Sequence, residues 1–111
     1  MHIPFSTAYK IDTDGGPIWD YDINKDVGLS YQELHRRGPE SGHYLNKKCH
    51  EILFVIRGSA RFTVGGKEYD VHEKDTVVVE PGVPYAIDTT DLAYITITRP
   101  DWYEEQYELV G

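Results

Sequence analysis

The sequence predicts an all-β domain, either a sandwich or a closed barrel. Short β-branched and aromatic runs recur along its 111 residues, turn residues separate them, and the apolar period is that of strands rather than helices. Turn signals fall roughly every eight to twelve positions, which implies roughly seven to nine short strands, the usual number for a sandwich or barrel.

The elements follow in order. Asp14-Gly15-Gly16-Pro17 separates an N-terminal arm from a strand-like segment at 18–21. Residues 29–37 read as the next strand, with Leu29, Tyr31, Glu33 and His35 on one face and Leu34 and Arg36 on the other. Residues 51–57 form an apolar run between His50 and Gly58, the pattern of a strand covered on both faces. Gly65-Gly66 lies between segments 60–64 and 67–71, as a two-residue hairpin turn requires. The run 76–79 closes at Pro81-Gly82, and a further strand covers 85–88. Ala93, Ile95 and Ile97 then alternate with Tyr94, Thr96 and Thr98, the period-two signature of a strand. Asp101 followed by Glu104 has the form of an N-cap with its capping-box partner, so 102–109 reads as a short helix, with an extended tail as the alternative.

Composition limits the possible functions. The formal charge of -8 opposes nucleic-acid binding, because phosphate contacts need clustered Lys and Arg. The two basic pairs, Arg36-Arg37 and Lys47-Lys48, are each large enough for one anionic group and otherwise read as solvated loop charge. No apolar stretch approaches the ~20 residues of a membrane helix, and the N-terminus lacks the pattern of a signal peptide, so a cytoplasmic location is expected. The single Cys49 excludes an internal disulfide and a cysteine-rich zinc site. Glycine-rich phosphate loops, nucleophile elbows and zinc-protease histidine pairs are missing, and Asp12-Thr13-Asp14-Gly15 reads as a turn rather than a calcium loop.

From Gly38 the chain runs five residues to Tyr44, one to Asn46, four to Glu51 and six to Gly58. This frame resembles the first sequence motif of the cupin family, in which two histidines and a glutamate hold a divalent metal. Tyr44 and Asn46 stand at the histidine positions, and Glu51 alone matches a ligand. Residues 74–85, around Pro81-Gly82, resemble the second motif, with Tyr85 where the fourth ligand, a histidine, would be. Lys74 and Thr89 replace that motif's opening glycine and closing asparagine. The resemblance covers 38–89 and implies a double-stranded β-helix, the jelly-roll barrel. It implies one domain, with an N-terminal arm and strands at 1–27, the barrel core at 28–99 and a C-terminal tail at 100–111. It also implies a barrel without a metal or other cofactor, and a homodimer formed through the arm or an outer sheet face; Ile3, Phe5, Ile18 and Trp19 suit such a contact.

In a cupin Glu51 would point inward, with Leu53 and Val55 on its face and Tyr44, Asn46 and Tyr85 around the same cavity. With the odd residues of 29–37 inside, Tyr31, Glu33 and His35 would join them; a one-residue slip would turn Leu34 and Arg36 inward instead. Apolar neighbours would raise the carboxyl pKa of Glu51 and suit it to general acid-base work. Its alternative role is to accept hydrogen bonds from Tyr44 or Tyr85 and tie strands together. Tyr85 would donate a proton or polarise a carbonyl, or else serve as a hydrogen-bonded core tyrosine. His35 would pair with Glu51 or Glu33 as a proton shuttle. His43 and His50 each sit one residue from a motif position and would face away unless a bulge re-aimed them toward a metal held with Glu51.

Three functions follow from the resemblance. The first is binding of a small polar, carbohydrate-like ligand with metal-independent isomerase or epimerase chemistry. There Glu51 or His35 would remove a proton and Tyr85 would stabilise the enolate; Tyr31 and Tyr44 would stack on a sugar ring, while Lys47 or Arg37 meets a phosphate. The second is a non-enzymatic binding or sensing module using the same pocket, and the third is a weakly metal-dependent cupin enzyme, a dioxygenase or metal isomerase.

Overall fold

A computed structural model describes residues 1–111 and shows eleven strands and two single 3-10 turns, at Phe5–Thr7 and Glu104–Gln106. The strands are β1 (Tyr9–Thr13), β2 (Gly16–Tyr21), β3 (Gly28–Leu34), β4 (His43–Asn46), β5 (His50–Gly58), β6 (Ala60–Val64), β7 (Lys67–Val71), β8 (Thr76–Val79), β9 (Tyr85–Asp88), β10 (Leu92–Arg99) and β11 (Tyr107–Val110). The Gly65-Gly66 turn joins β6 to β7, and both glycines have positive φ, 56° and 83°, as a primed hairpin turn requires.

Every strand pair is antiparallel. A six-stranded sheet runs β1-β2-β3-β10-β5-β8, and a five-stranded sheet runs β11-β4-β9-β6-β7. The two face each other as a jelly-roll barrel with a radius of gyration of 13.2 Å. The short helix expected at 102–109 is replaced by one 3-10 turn and β11, which pairs with β4 along its whole length. Local capping chemistry at Asp101 and Glu104 yields here to an available sheet edge. The C-terminal tail is therefore a wall of the barrel.

The inner faces of the strands change character along their length. On β5 the inward residues run Val55, Leu53, Glu51; on β10 they run Leu92, Tyr94, Thr96, Thr98. Because β5 and β10 are antiparallel, with Leu92 opposite Gly58 and Thr98 opposite Glu51, the apolar ends coincide and so do the polar ends. Leu53, Val55, Phe62, Val71, Ile87 and Leu92 belong to the closed core at one end. The other end is left open and polar.

The strand at 51–57 is not covered on both faces. Ile52, Phe54 and Ile56 keep about 40% of their surface on the outer side of the six-stranded sheet, beside Val78 and Ile97. The continuous apolar run thus serves two different surfaces.

Candidate binding site in the barrel

The open end is a cavity of about 680 Å³ that extends under the β1–β2 hairpin. This volume suits a small organic ligand, for which pockets of roughly 300–1,000 Å³ are usual. At its centre Glu51, only 6% exposed, is held by two donors on one oxygen. Tyr85 donates its phenolic hydrogen to Oε1 at 2.5 Å, and Asn46 Nδ2 donates to the same atom at 3.1 Å. Oε2 makes no hydrogen bond within the protein and is the oxygen available to the cavity.

Burial raises the Glu51 carboxyl to about 7, against the opposing effect of the bonds from Tyr85 and Asn46. Desolvation, followed by the charge of Glu51, pushes the Tyr85 phenol well above its ordinary range, so it remains a donor. With two donors on Oε1, the proton that Glu51 carries near neutrality belongs on Oε2. The site can therefore hold or release a proton at an atom facing the ligand space.

Asn46 is oriented from behind. Gln106 Oε1 accepts from the backbone N–H groups of Lys48 and Cys49, at 3.2 and 3.1 Å, and Gln106 Nε2 donates to Asn46 Oδ1 at 2.8 Å. One side of the cavity is aromatic, with neighbouring rings of Trp102, Tyr107, Tyr44 and Tyr85 separated by 5.4, 6.3 and 5.2 Å in turn. The facing sheet is polar: Tyr94 donates to Gln32 Oε1, and Gln32 Nε2 donates to Ser30 Oγ and Thr96 Oγ1. A ring-shaped polar molecule would find stacking surface on one side and hydrogen-bonding groups on the other.

The structure brings Glu51, Tyr85, Tyr44 and Asn46 together and separates them from Tyr31, Glu33 and His35. On β3 the inward residues are Ser30, Gln32 and Leu34, the opposite register to the one expected. Leu34 takes the buried place in the core, which turns the odd residues outward. Tyr31 packs against Trp19, which also meets Phe5. Its hydroxyl bonds to Glu33, whose position borders the cavity but whose carboxylate is turned toward Tyr31 and His35. His35 Nδ1 lies 3.1 Å from Asp91 Oδ1, so it is not placed to shuttle a proton to Glu51. Arg37 borders the cavity, whereas Lys47 pairs with Glu108.

The metal positions of the cupin motifs do not fit a divalent ion in this chain. Asn46 turns its amide NH₂ to Glu51, the Tyr85 phenol stays protonated, and no group of three His, Cys, Asp or Glu side chains is arranged to hold an ion. His50 Nδ1 instead meets Glu80 at 2.9 Å, and His43 does not line the cavity. Neither histidine is therefore placed beside Glu51.

Comparison with known proteins agrees with the fold and motif spacing. The Cupin domain family matches residues 30–97, and the chain belongs to that family. Among solved structures, Streptomyces PAC13 with uridine superposes with a TM-score of 0.86 at 12% identity, covering 97% of this chain and 88% of that one. PAC13 is described as a nucleoside dehydratase. A variant of Bacillus subtilis oxalate decarboxylase superposes with a TM-score of 0.76 at 19% identity, over 97% of this chain and 32% of the enzyme. An Escherichia coli K12 protein, the uncharacterized HTH-type transcriptional regulator YdiP, is 40% identical over 48 residues. That match takes in 43% of this chain and spans 16% of the regulator's length.

Proposed function

We propose that the barrel binds a small polar ring, a sugar or nucleoside-like molecule, between its aromatic side and Glu51. The observation that carries this reading is the carboxylate itself: Oε1 is held by Tyr85 and Asn46, while Oε2 faces the ligand space with no protein partner. Tyr44 and Tyr85 are the neighbouring contacts, and Tyr107 extends the stacking surface. The fold shared with a protein held with uridine supports a ligand of this size. The test is an NMR titration of the full chain with uridine, glucose and other neutral nucleosides and hexoses. Saturable shifts around residues 44, 51 and 85 are expected for at least one class; no response to any of them would overturn the reading.

Acid-base chemistry is a second reading, favoured by a carboxyl raised to about 7 on the cavity side of a protonated tyrosine. Glu51 would take a proton from a carbon beside a carbonyl onto Oε2, while Tyr85, whose single phenolic hydrogen is given to Oε1, would hold the carboxylate in place. Deuterium entering such a carbon of an added keto sugar from solvent, and failing to do so with Glu51→Gln, is the expected result. No exchange above the uncatalysed rate would leave a binding or sensing module, a role in keeping with the partial match to a transcriptional regulator.

The same reading includes a cytoplasmic homodimer without a nucleic-acid partner. The charge of -8 opposes phosphate contacts, and no helix is long and apolar enough to cross a membrane. The exposed Ile52, Phe54 and Ile56 supply an apolar outer face for a second copy. Light scattering is expected to give twice the chain mass, with Phe54→Lys returning it to the monomer; a wild-type monomer at tens of micromolar would reject the dimer.

A further inference from the structure

The charges bordering the cavity are unevenly compensated. Arg36 Nη1 lies 3.3 Å from Glu40, and Arg37 donates to the Pro39 carbonyl with Asp88 3.9 Å from its Nε. The far end, beside β2 and the start of β3, carries Asp20 and Asp101, and neither takes part in any ion pair. Burial, then the charges of Asp101 and Asp22, raise the Asp20 carboxyl, as expected of like charges without a cation among them.

A second observation falls at the same end. Thr98 is only 4% exposed, and its Oγ1 has no hydrogen-bond partner. A Cβ placed on Gly28 would stand 2.3 Å from that oxygen and 2.8 Å from Asp101 Oδ1, so the two oxygens lie at most about 5 Å apart. Gly28 has no side chain with which to fill or satisfy this corner. Trp102 borders the cavity there, its ring packed against Tyr107.

We propose that Asp20, Asp101 and Thr98 form a subsite for a protonated amine, so that the barrel prefers an amine-bearing polar ring to its neutral counterpart. The inference rests on the small-ligand reading above and deepens it by assigning the charge of the ligand. An ammonium group offers three donors and no acceptor, which complements two carboxylates and a partnerless hydroxyl. An adjacent indole adds a face on which a cation is favoured. A phosphate or carboxylate at this end would meet like charge, and a neutral hydroxyl would leave both aspartates uncompensated.

The test uses the full chain below neutral pH, with glucosamine, glucose, glucose 6-phosphate and calcium chloride as separate NMR titrants. Glucosamine is expected to shift the signals of Gly28, Thr98 and Trp102 and to bind at least about tenfold tighter than glucose, a difference of about 1.4 kcal/mol. Glucose 6-phosphate should bind more weakly than either. Asp20→Asn together with Asp101→Asn should abolish the preference, bringing the affinities for glucosamine and glucose together. Equal affinity for glucose and glucosamine, a preference that survives the double variant, or calcium moving these signals where glucosamine does not, would each overturn the subsite. If glucose still shifts residues 44, 51 and 85 in those cases, the small-ligand reading stands without it. If no sugar moves any cavity signal, the subsite is rejected, and the small-ligand reading is rejected with it only if uridine and the other nucleosides are silent as well.

Discussion

Tyr85 and Glu51 belong to different sheets and meet across the barrel, the phenol on β9 donating to the carboxylate on β5 at 2.5 Å. This bond favours the charged carboxylate against the larger effect of burial. Tyr85→Phe removes that donor and should raise the Glu51 carboxyl above about 7. Carbon-detected NMR of the Glu51 carboxyl measures it, and a lower value in the variant would mean that solvent entry outweighs the lost bond.

Stability should depend on pH through Glu51. Its pKa rises from 4.5 in the unfolded reference to about 7 in the fold, so the folded chain holds this proton more tightly. The associated stabilisation is fully present below 4.5 and is lost as pH rises through about 7. Its size is about 3 kcal/mol. Glu51→Gln remains neutral, so urea denaturation should show the variant gaining on the wild type from pH 5 to pH 8.5, by up to about 3 kcal/mol. A gap that narrows with rising pH would contradict the buried-carboxyl account.

Gln106, 2% exposed, accepts hydrogen bonds from two main-chain N–H groups that have no other partner among the side chains around them. Gln106→Ala leaves both donors unsatisfied, and a buried donor without a partner costs about 1–3 kcal/mol. The expected loss by urea denaturation is about 2–4 kcal/mol. A change under half a kcal/mol would show that water replaces the amide.

Lys74 has φ of 70°, in the left-handed region, at the position where the second cupin motif opens with glycine. A non-glycine residue there is strained by about 1 kcal/mol or more. Lys74→Gly should therefore stabilise the domain by about 1 kcal/mol in thermal or urea unfolding. A destabilised variant would mean that the gain in unfolded-chain freedom dominates.

Much of the fold was legible because its signals are local or are carried by fixed spacing. Gly65-Gly66 marks its own hairpin, and alternation on a strand determines that Tyr44 and Asn46 share a face. The β3 register was not legible. Its two faces, Leu29-Tyr31-Glu33 and Ser30-Gln32-Leu34, are equally mixed, and packing of Leu34 with partners distant in sequence decides between them. The outward Ile95 and Ile97 reverse the usual expectation for β10, because the polar Tyr94, Thr96 and Thr98 serve the cavity. Gln106 lies 60 positions from Asn46, and only the pairing of β11 with β4 brings them together.

The amides behind Glu51 form a one-way relay. The Lys48 and Cys49 main-chain donors dictate which end of Gln106 is its carbonyl; this leaves its NH₂ for Asn46 Oδ1 and directs the Asn46 NH₂ to Glu51. Neither intermediate side chain titrates, so the polarity presented to the carboxylate is inherited from the backbone and remains unchanged while Glu51 itself gains and loses its proton.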